Sequence, residues 1–529
     1  MTANFPTFTS PREGRLLFDK KYMTNEPATT CTAYHSLTSY SRQNMSGHYL
    51  DWENQPNVYK SYPDLSQILL PKEVSLPKEK LSSLIHAMPR TATPAAGVCL
   101  EDLSLILLLT YSITARTRHG LHDFFYRNVA SAGALYPTEL YVDSRGVSGL
   151  DDGLYHFSIS DHGLSMLRKG NLSGMLSGSP GESSDSFPSL TFFLTAIFFR
   201  SSWKYRDRAY RYHLLDTGHL LENLTLALKS LNYPYHCSFD FDDTHVNRFL
   251  GLDSEMEACL AVCTVPGPDL AEKSGNVVIS DLPESIKKRS RVAKNEVRYP
   301  AVLEIHRSGE KVLTSGNSGT NMPCPQIKNT PGNRAEIAKK GTWPERYNYG
   351  EAILKRRSKR NFVKKEMDAD HLMALADGLY PGIPERSRDF VRDHSSICTG
   401  FICGNVSGMD AGIYLIDPQS GNFGIVKEGL FLDEMAAVCL NQAWLSNAAV
   451  HFLFLANLSA IEETWGARGY RYAMAHAGRM GERLYLMATA MDLGCCGIGA
   501  FYDQEAAELI GLDSETRLLY LVGVGPVKS

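Results

Sequence analysis

The sequence predicts an α+β protein built from two tandem copies of one fold, packed against each other as a pseudo-symmetric dimer. Three observations predict it. "RAYRYHLLDTGHLLENLTLAL" (208–228) returns as "RGYRYAMAHAGRMGERLYLMA" (468–488), and "GLDSE" (251–255) returns at 511–515, both shifted by 260 positions. An ungapped stretch repeated at one fixed spacing is the mark of a duplicated structural unit. "VSGLDDGLY" (147–155) likewise returns as "VSGMDAGIY" (406–414), and the apolar runs "LTFFLTAIFF" (190–199) and "AVHFLFLANL" (449–458) sit at matching places. Finally, helical spacing and strand-length apolar blocks are mixed within each copy, as in α+β folds.

Each copy reads, in order, as an N-terminal helix, a strand pair around the VSG turn, a buried strand, a long helix and a final strand. In the first copy "LSLILLLTYSITA" (103–115) is a buried helix and "LTFFLTAIFF" a buried central strand. Both are too short for the ~20 residues of a membrane span. The long helix is "HLLDTGHLLENLTLALKSLN" (213–232), where Leu214, Leu215, Leu221, Leu224 and Leu228 recur at helical spacing. The last strand of the second copy is "RLLYLVGV" (517–524). The domain boundaries are therefore 1–267, a Gly/Pro/Ser/Asn/Lys-rich linker at 268–345, and 346–529. Homologous halves in one chain pack like a symmetric dimer, and the two sites between them are free to diverge.

Composition narrows the function. The 529 residues are 43% hydrophobic and 21% charged with a formal charge of −4, which fits a soluble globular protein and leaves no electrostatic footprint for nucleic acid. The basic run "SIKKRSRVAKNEVR" (285–298) reads as a solvated linker face. The start "MTANFPTFTSPREGRLLFDKK" has no apolar stretch of signal-peptide length. The 11 cysteines include no CxxC pair and no zinc spacing, so they read as buried reduced thiols in a cytoplasmic protein without a metal.

Four stretches ask for a chemical reading. "KRRSKRNF" (355–362) sets guanidinium groups and a hydroxyl together, a pattern that suits phosphate or a solvated face. "RNVASAGALYPTELYV" (127–142) places small residues before a strand, which is either a tight turn or a bare wall for a flat ring. "LGCCGIGAFYD" (493–503) is a glycine-rich turn after a long helix, without the spacing of a dinucleotide fold. "WKYRDRAYRY" (203–212) crowds Lys204 and Tyr205 among Arg206, Arg208 and Arg211. Those cations would have to lower Lys204 from ~10.4 to ~7–8 for it to serve as a base near neutrality.

Together with "YHSLTSYSRQNMSGHYLDWENQPNVYKSYP" (34–63), these stretches resemble the nitroreductase-like FMN flavoproteins, specifically the SagB-type azoline dehydrogenases. The resemblance covers about 34–265 and 345–527. It implies two nitroreductase-like domains with FMN at their interface. Arg356, Arg357, Ser358 and Arg360 would hold the cofactor's phosphate and ribityl tail. Ser131, Ala132, Gly133, Ala134 and Leu135 would line the ring, and Gly494, Cys495, Cys496 and Gly497 would cover it from the other half. The family's proton-removing pair falls on Lys204 and Tyr205.

The mirror-related site lacks these parts. "MPRTATPAAGVCLEDL" (88–103) keeps only Arg90 of the basic segment, "RDHSSICTGFICGN" (392–405) replaces the small-residue turn, and "WGARGYRY" (465–472) has no counterpart of Lys204 and Tyr205. The losses are complementary, so we expect one FMN per chain, shared across the pseudo-dyad. Three activities compete. One is dehydrogenation of a peptide or small metabolite, in the company of other biosynthetic enzymes. The others are nicotinamide-driven reduction of nitro or quinone-like compounds, and a non-catalytic flavin-binding scaffold.

Overall fold

A computed structural model describes residues 27–528 apart from 44, 46–48, 89–96, 120–121, 173–187, 268–279, 311–332, 336–342, 381–396 and 418–420. Arg90, the first residues of the 392–405 stretch and much of the 268–345 linker fall outside the described residues.

Chain order gives β1 (Gln67–Leu69), the hairpin β2 and β3 (Ile113–His119, His122–Arg127), β4 (Thr138–Ser144) and β5 (Gly153–Ser158). Then come β6 (Gly163–Lys169), β7 (Pro188–Ile197), β8 (His236–Ser238) and β9 (Glu257–Pro266). The second half adds β10 (Asn333–Ala335), β11 (Cys398–Cys403), β12 (Gly412–Ile416) and β13 (Phe423–Glu428). It ends with β14 (Val450–Asn457), β15 (Gly494–Ile498) and β16 (Thr516–Gly525). The first sheet runs β1-β6-β5-β4-β7-β9-β8 and the second β10-β13-β12-β11-β14-β16-β15. Strand for strand the orders are the same, and every pairing is antiparallel. The α+β duplication is thus realised as two equivalent sheets. β10 shows that the linker is not a passive tether, because it supplies the second sheet's edge strand.

The long helices Ala209–Ser230 and Arg468–Ala490 lie between the sheets. All 23 residues of the second are buried, and so are all of the first except Lys229. A helix hidden all round needs no amphipathic stripe, which is why leucines and polar residues mix freely along both. Their main chains touch at small residues. A Cβ on Gly218 would lie 2.0 Å from the Ala475 carbonyl oxygen, and one on Gly478 would lie 2.2 Å from that of Leu215. The first helix begins one turn before the leucine periodicity does, because Tyr210 and Tyr212 add buried surface there. The stretch 103–115 holds two elements: the helix Leu100–Thr110 stops and β2 starts at Ile113.

Two ion-pair clusters obey the same pseudo-dyad. Arg208 and Arg211 grip Asp503 (2.8 and 2.7 Å), while Arg468 and Arg471 grip Asp243, the latter at 2.9 Å. These arginines join one half to the other. Burial opposes ionisation of Asp503, yet Arg208 and Arg211 hold its carboxyl well below the usual range. In the basic run, Arg289 meets Asp64 at 2.8 Å while Ser290 is fully buried against Glu257 (2.8 Å). The ten described cysteines are free thiols, and nine of them are buried.

Candidate active site between the halves

The turn after the β2–β3 hairpin is held in an unusual shape. Gly133, Ala134 and Tyr136 have φ of 63°, 53° and 45°, a left-handed run that costs energy at the two non-glycine positions. Its supports are specific. Ser131 Oγ donates to Asp216 Oδ2 (2.5 Å), Ala132 N donates to Asp216 Oδ1 (3.3 Å), and Tyr136 N donates to Ser131 Oγ (2.9 Å). From the far side, Arg200 donates to the Tyr136 carbonyl (3.0 Å).

Lys204 and Tyr205 end the helix Phe198–Tyr205, which stops because Arg206 turns to φ 50°. They meet the turn directly. A Cβ on Gly133 would lie 2.8 Å from Tyr205 Oη and 3.2 Å from Lys204 Nζ. Burial lowers the Lys204 pKa, and Arg360 of the other half lowers it further. This differs from the sequence-based expectation, which drew the effect from the neighbouring arginines. Arg208 and Arg211 are instead committed to Asp503. Tyr205 moves the other way: burial first, then Tyr212, raise its phenol well above the usual value. Its ring packs 4.3 Å from that of Tyr212.

The second half supplies the opposite wall. The segment 355–362 follows the helix Tyr349–Lys355, which opens with a capping box of Asn348 and Glu351. Lys359 N donates to the Cys495 carbonyl (2.9 Å), tying the segment to β15. The stretch read as a glycine-rich turn is thus strand β15, an edge strand paired along β16. Ser358 Oγ contacts Tyr485 Oη (2.9 Å), which also accepts from Gly497 N (2.7 Å). Arg360 lies 5.6 Å from the Trp444 ring centroid.

Between these walls lies an open cleft of about 150 Å3. Ser131, Ala132, Gly133 and Tyr205 line it from the first half; Ser358, Arg360, Cys496 and Gly497 line it from the second. The other residues singled out in the sequence lie behind it. Arg356 is buried, donating to the carbonyls of Asn128 (2.9 Å) and Arg127 (2.7 Å). Arg357 donates to those of Arg356 (2.6 Å), Leu354 (3.1 Å) and Thr114 (3.2 Å). Leu135 packs with Phe199 and Trp203, Ala134 is packed against the main core, and Cys495 is buried beneath the strand. Gly494 is packed on Val527. Asp216, Gln442, Tyr485 and Tyr520 line the cleft but were not picked out from the sequence. The clue for Asp216 was present: a carboxylate inside an otherwise leucine-rich buried helix.

Three glycines stand where the cleft wall is tightest. Besides Gly133, a Cβ on Gly497 would lie 1.7 Å from Tyr520 Oη, and one on Gly499 would lie 2.6 Å from the Tyr212 ring. These glycines make room for Tyr205, Tyr520 and Tyr212, so the cleft is bordered by phenol rings with the cationic Arg360 and the hydroxyls of Ser131 and Ser358 beside them, groups that suit a planar ring carrying a phosphate tail.

The mirror position also corrects an alignment. The helix Leu458–Trp465 ends at Gly466 (φ 62°), as its mate ends at Arg206. Trp465 packs on Tyr472 (5.6 Å) as Tyr205 packs on Tyr212, with the 260-residue shift intact. Lys204 and Tyr205 therefore do have counterparts, Thr464 and Trp465. Matching the tryptophan letters hid this.

Comparison with known proteins fits this geometry. The profile of the Nitroreductase family matches residues 186–267 and 415–526, one segment in each half. The crystal structure of a nitroreductase-type protein from Anabaena variabilis superposes with a TM-score of 0.73 at 26% identity, over 95% of this chain and 100% of that one. Each half of the chain thus carries a segment similar to the nitroreductase family, on a nitroreductase-like fold. Among nitroreductase relatives, MJ1384 of Methanocaldococcus jannaschii, whose name assigns it to the nitroreductases, is 27% identical over 176 residues, 33% of this chain and 89% of that protein. The trifolitoxin-processing protein TfxB of Rhizobium leguminosarum bv. trifolii is 29% identical over 175 residues, 31% of this chain and 47% of its own length. No helix among the described residues is long and apolar enough to cross a membrane.

Proposed function

We propose that this oxidoreductase is an FMN-dependent, SagB-type dehydrogenase that oxidises a peptide or small metabolite by two electrons, as in conversion of an azoline to an azole. One observation carries the reading: one cleft is lined by Gly133 and Tyr205 of one half and by Ser358 and Arg360 of the other, and Lys204 Nζ sits against Gly133 at its wall, where burial and Arg360 depress its pKa. Ser358 and Arg360 would contact the cofactor. Arg356 and Arg357 would act through the main chain they hold, fixing the two segments that flank it. The Ser131–Gly133 turn and Cys496–Gly497 would face the ring, with Ala134, Leu135, Gly494 and Cys495 shaping those walls from behind.

FMN, when bound, supplies the acceptor for a hydride. Lys204 Nζ takes the proton from the substrate's ring Cα as the hydride leaves the adjacent Cβ, and the ring becomes aromatic. Tyr205 keeps its proton at neutral pH because burial raises its pKa, so it serves as a donor beside Lys204 rather than as the base. The likeness to TfxB favours a peptide substrate and work alongside other biosynthetic enzymes. The likeness to MJ1384 favours the second reading, a nicotinamide-driven reductase.

Anaerobic mixing with NADPH separates the two. Rapid bleaching of bound flavin supports the reductase and contradicts the dehydrogenase. Bleaching by an azoline peptide alone, with reoxidation by air, supports the dehydrogenase.

A further inference from the structure

The cleft contains a second titratable unit, on the long helix rather than beside Lys204. Asp216 is 4% exposed, lines the cleft, and receives both the Ser131 hydroxyl and the Ala132 N–H. Four groups around it come from different elements. Tyr205 is on the preceding helix and Tyr520 on β16, both among the cleft's lining residues. Glu482 is on the opposite long helix, and His219, one turn further along, is bound to Glu482 (2.6 Å). The two cations of the site, Lys204 and Arg360, belong to the walls already described. Burial drives the Asp216 pKa up to about 7; its bonds to Ser131 and Ala132 oppose this, and Glu482 adds repulsion. Its pseudo-dyad counterpart is His476, so this arrangement exists at one end of the molecule only.

We propose that Asp216 and Ser131 form a proton-relay pair that couples protonation of the cleft wall to binding of the flavin. The inference rests on the reading that the cleft holds FMN. With Asp216 ionised, the Ser131 hydroxyl hydrogen is committed to Oδ2 and cannot serve the cleft. A proton arriving from the cleft passes to Ser131 Oγ while the serine's own proton moves to Asp216 Oδ2. The new O–H of Asp216 then donates to Ser131 Oγ, which already accepts from Tyr136 N, and the serine hydrogen faces the cleft. No bond to carbon changes and no electrons move. Both consequences favour a flavin over the protonated wall: a donor turns toward its polar edge, and a buried negative charge beside an electron-rich ring disappears.

The sign follows from linkage. A carboxyl whose folded pKa exceeds its ordinary value stabilises the fold less and less as pH rises through that window, from about 4 to about 7. FMN affinity should fall across the same upper region.

The test uses the full chain, freed of flavin, with Asp216→Asn and Ser131→Ala. Two quantities are measured from pH 5.5 to 8.5: the thermal midpoint of the flavin-free chain, and the FMN Kd by quenching of flavin fluorescence. The wild-type Kd should rise above neutrality, approaching the roughly tenfold per pH unit of a one-proton linkage; it should be flat in Asp216→Asn and rise less steeply in Ser131→Ala, which keeps the carboxyl but not the hydroxyl donor. The flavin-free wild type should lose stability relative to Asp216→Asn between pH 5.5 and 7.5. Equal pH dependence in wild type and Asp216→Asn, in either measurement, overturns the proposal. Failure of every form to bind FMN overturns the flavin reading instead, and the thermal comparison then still judges Asp216.

Discussion

The two ends of the pseudo-dyad were once the same place. At one end Lys204 and Tyr205 finish a helix beside a bare cleft. At the other, Thr464 and Trp465 finish its mate at the same kind of left-handed cap and with the same aromatic pairing. Two equivalent glutamates show the divergence most clearly. Glu482 accepts from His219 (2.6 Å) and lies 3.6 Å from Arg356, in the layer behind the cleft. Glu222 is gripped by Arg483 (2.7 Å) and Arg479 (3.2 Å), which stand where the first helix has Asn223 and His219. Burial opposes ionisation of Glu222, but Arg483 and Arg479 bring its pKa to about 2. One end has a cleft with a carboxyl, Asp216, whose pKa burial raises to about 7; at the other, Glu222 sits in an ion cluster with Arg479 and Arg483. Duplication kept the caps, the tyrosines and the Arg–Asp clamps at both ends, since packing needs them twice, and left Lys204, Tyr205 and Asp216 at one, where the other has Thr464, Trp465 and His476.

Substitutions can break or sharpen that contrast. The largest effect should come from Lys204→Ala: turnover of an azoline peptide falls by about 10²–10⁴-fold, as for removal of a general base, while FMN stays bound. In the intact enzyme the same residue should make turnover rise with pH, with a midpoint below the ordinary lysine value, because burial and Arg360 depress it. A pH–rate profile that does not rise would remove Lys204 as the base. Next, Glu222→Ala should destabilise the chain by about 3–5 kcal/mol, since two buried arginines lose their shared partner. Denaturant titration reads this, and an effect below 1 kcal/mol would show that the filled end is not held by those charges.

Gly218→Ala should cost about 1–3 kcal/mol, because its Cβ meets a main-chain oxygen at 2.0 Å and the two long helices must separate. The smallest effect should be that of the double substitution Thr464→Lys with Trp465→Tyr. It restores the letters of the proton-transfer pair at the mirror end, yet the flavin content of the purified chain should not change. A gain of flavin there would mean that Arg479 and Arg483 do not close the second site.

Much of this was readable from the residues, for a physical reason. The 260-residue shift preserves buried helices and strands, and burial constrains letters, so the duplication and both sheets were visible in the repeats. Side-chain direction was not. Arg356 and Arg357 carry the expected charges, but their guanidinium groups face main-chain carbonyls. Trp203 and Trp465 share a letter and occupy different helical positions, which only the caps at Arg206 and Gly466 reveal. Asp216 and Tyr485 looked like members of packed helices because the cleft that exposes them is formed by residues hundreds of positions away.

Flavin stoichiometry tests most directly whether the chain has one composite site. The chain is purified, its cofactor released, and FMN quantified against protein, in parallel with Arg360→Ala and Gly133→Trp, one substitution in each wall. We predict one FMN per chain, lost on changing either wall. Two FMN per chain, or one that survives both substitutions, would contradict a single site shared between the halves.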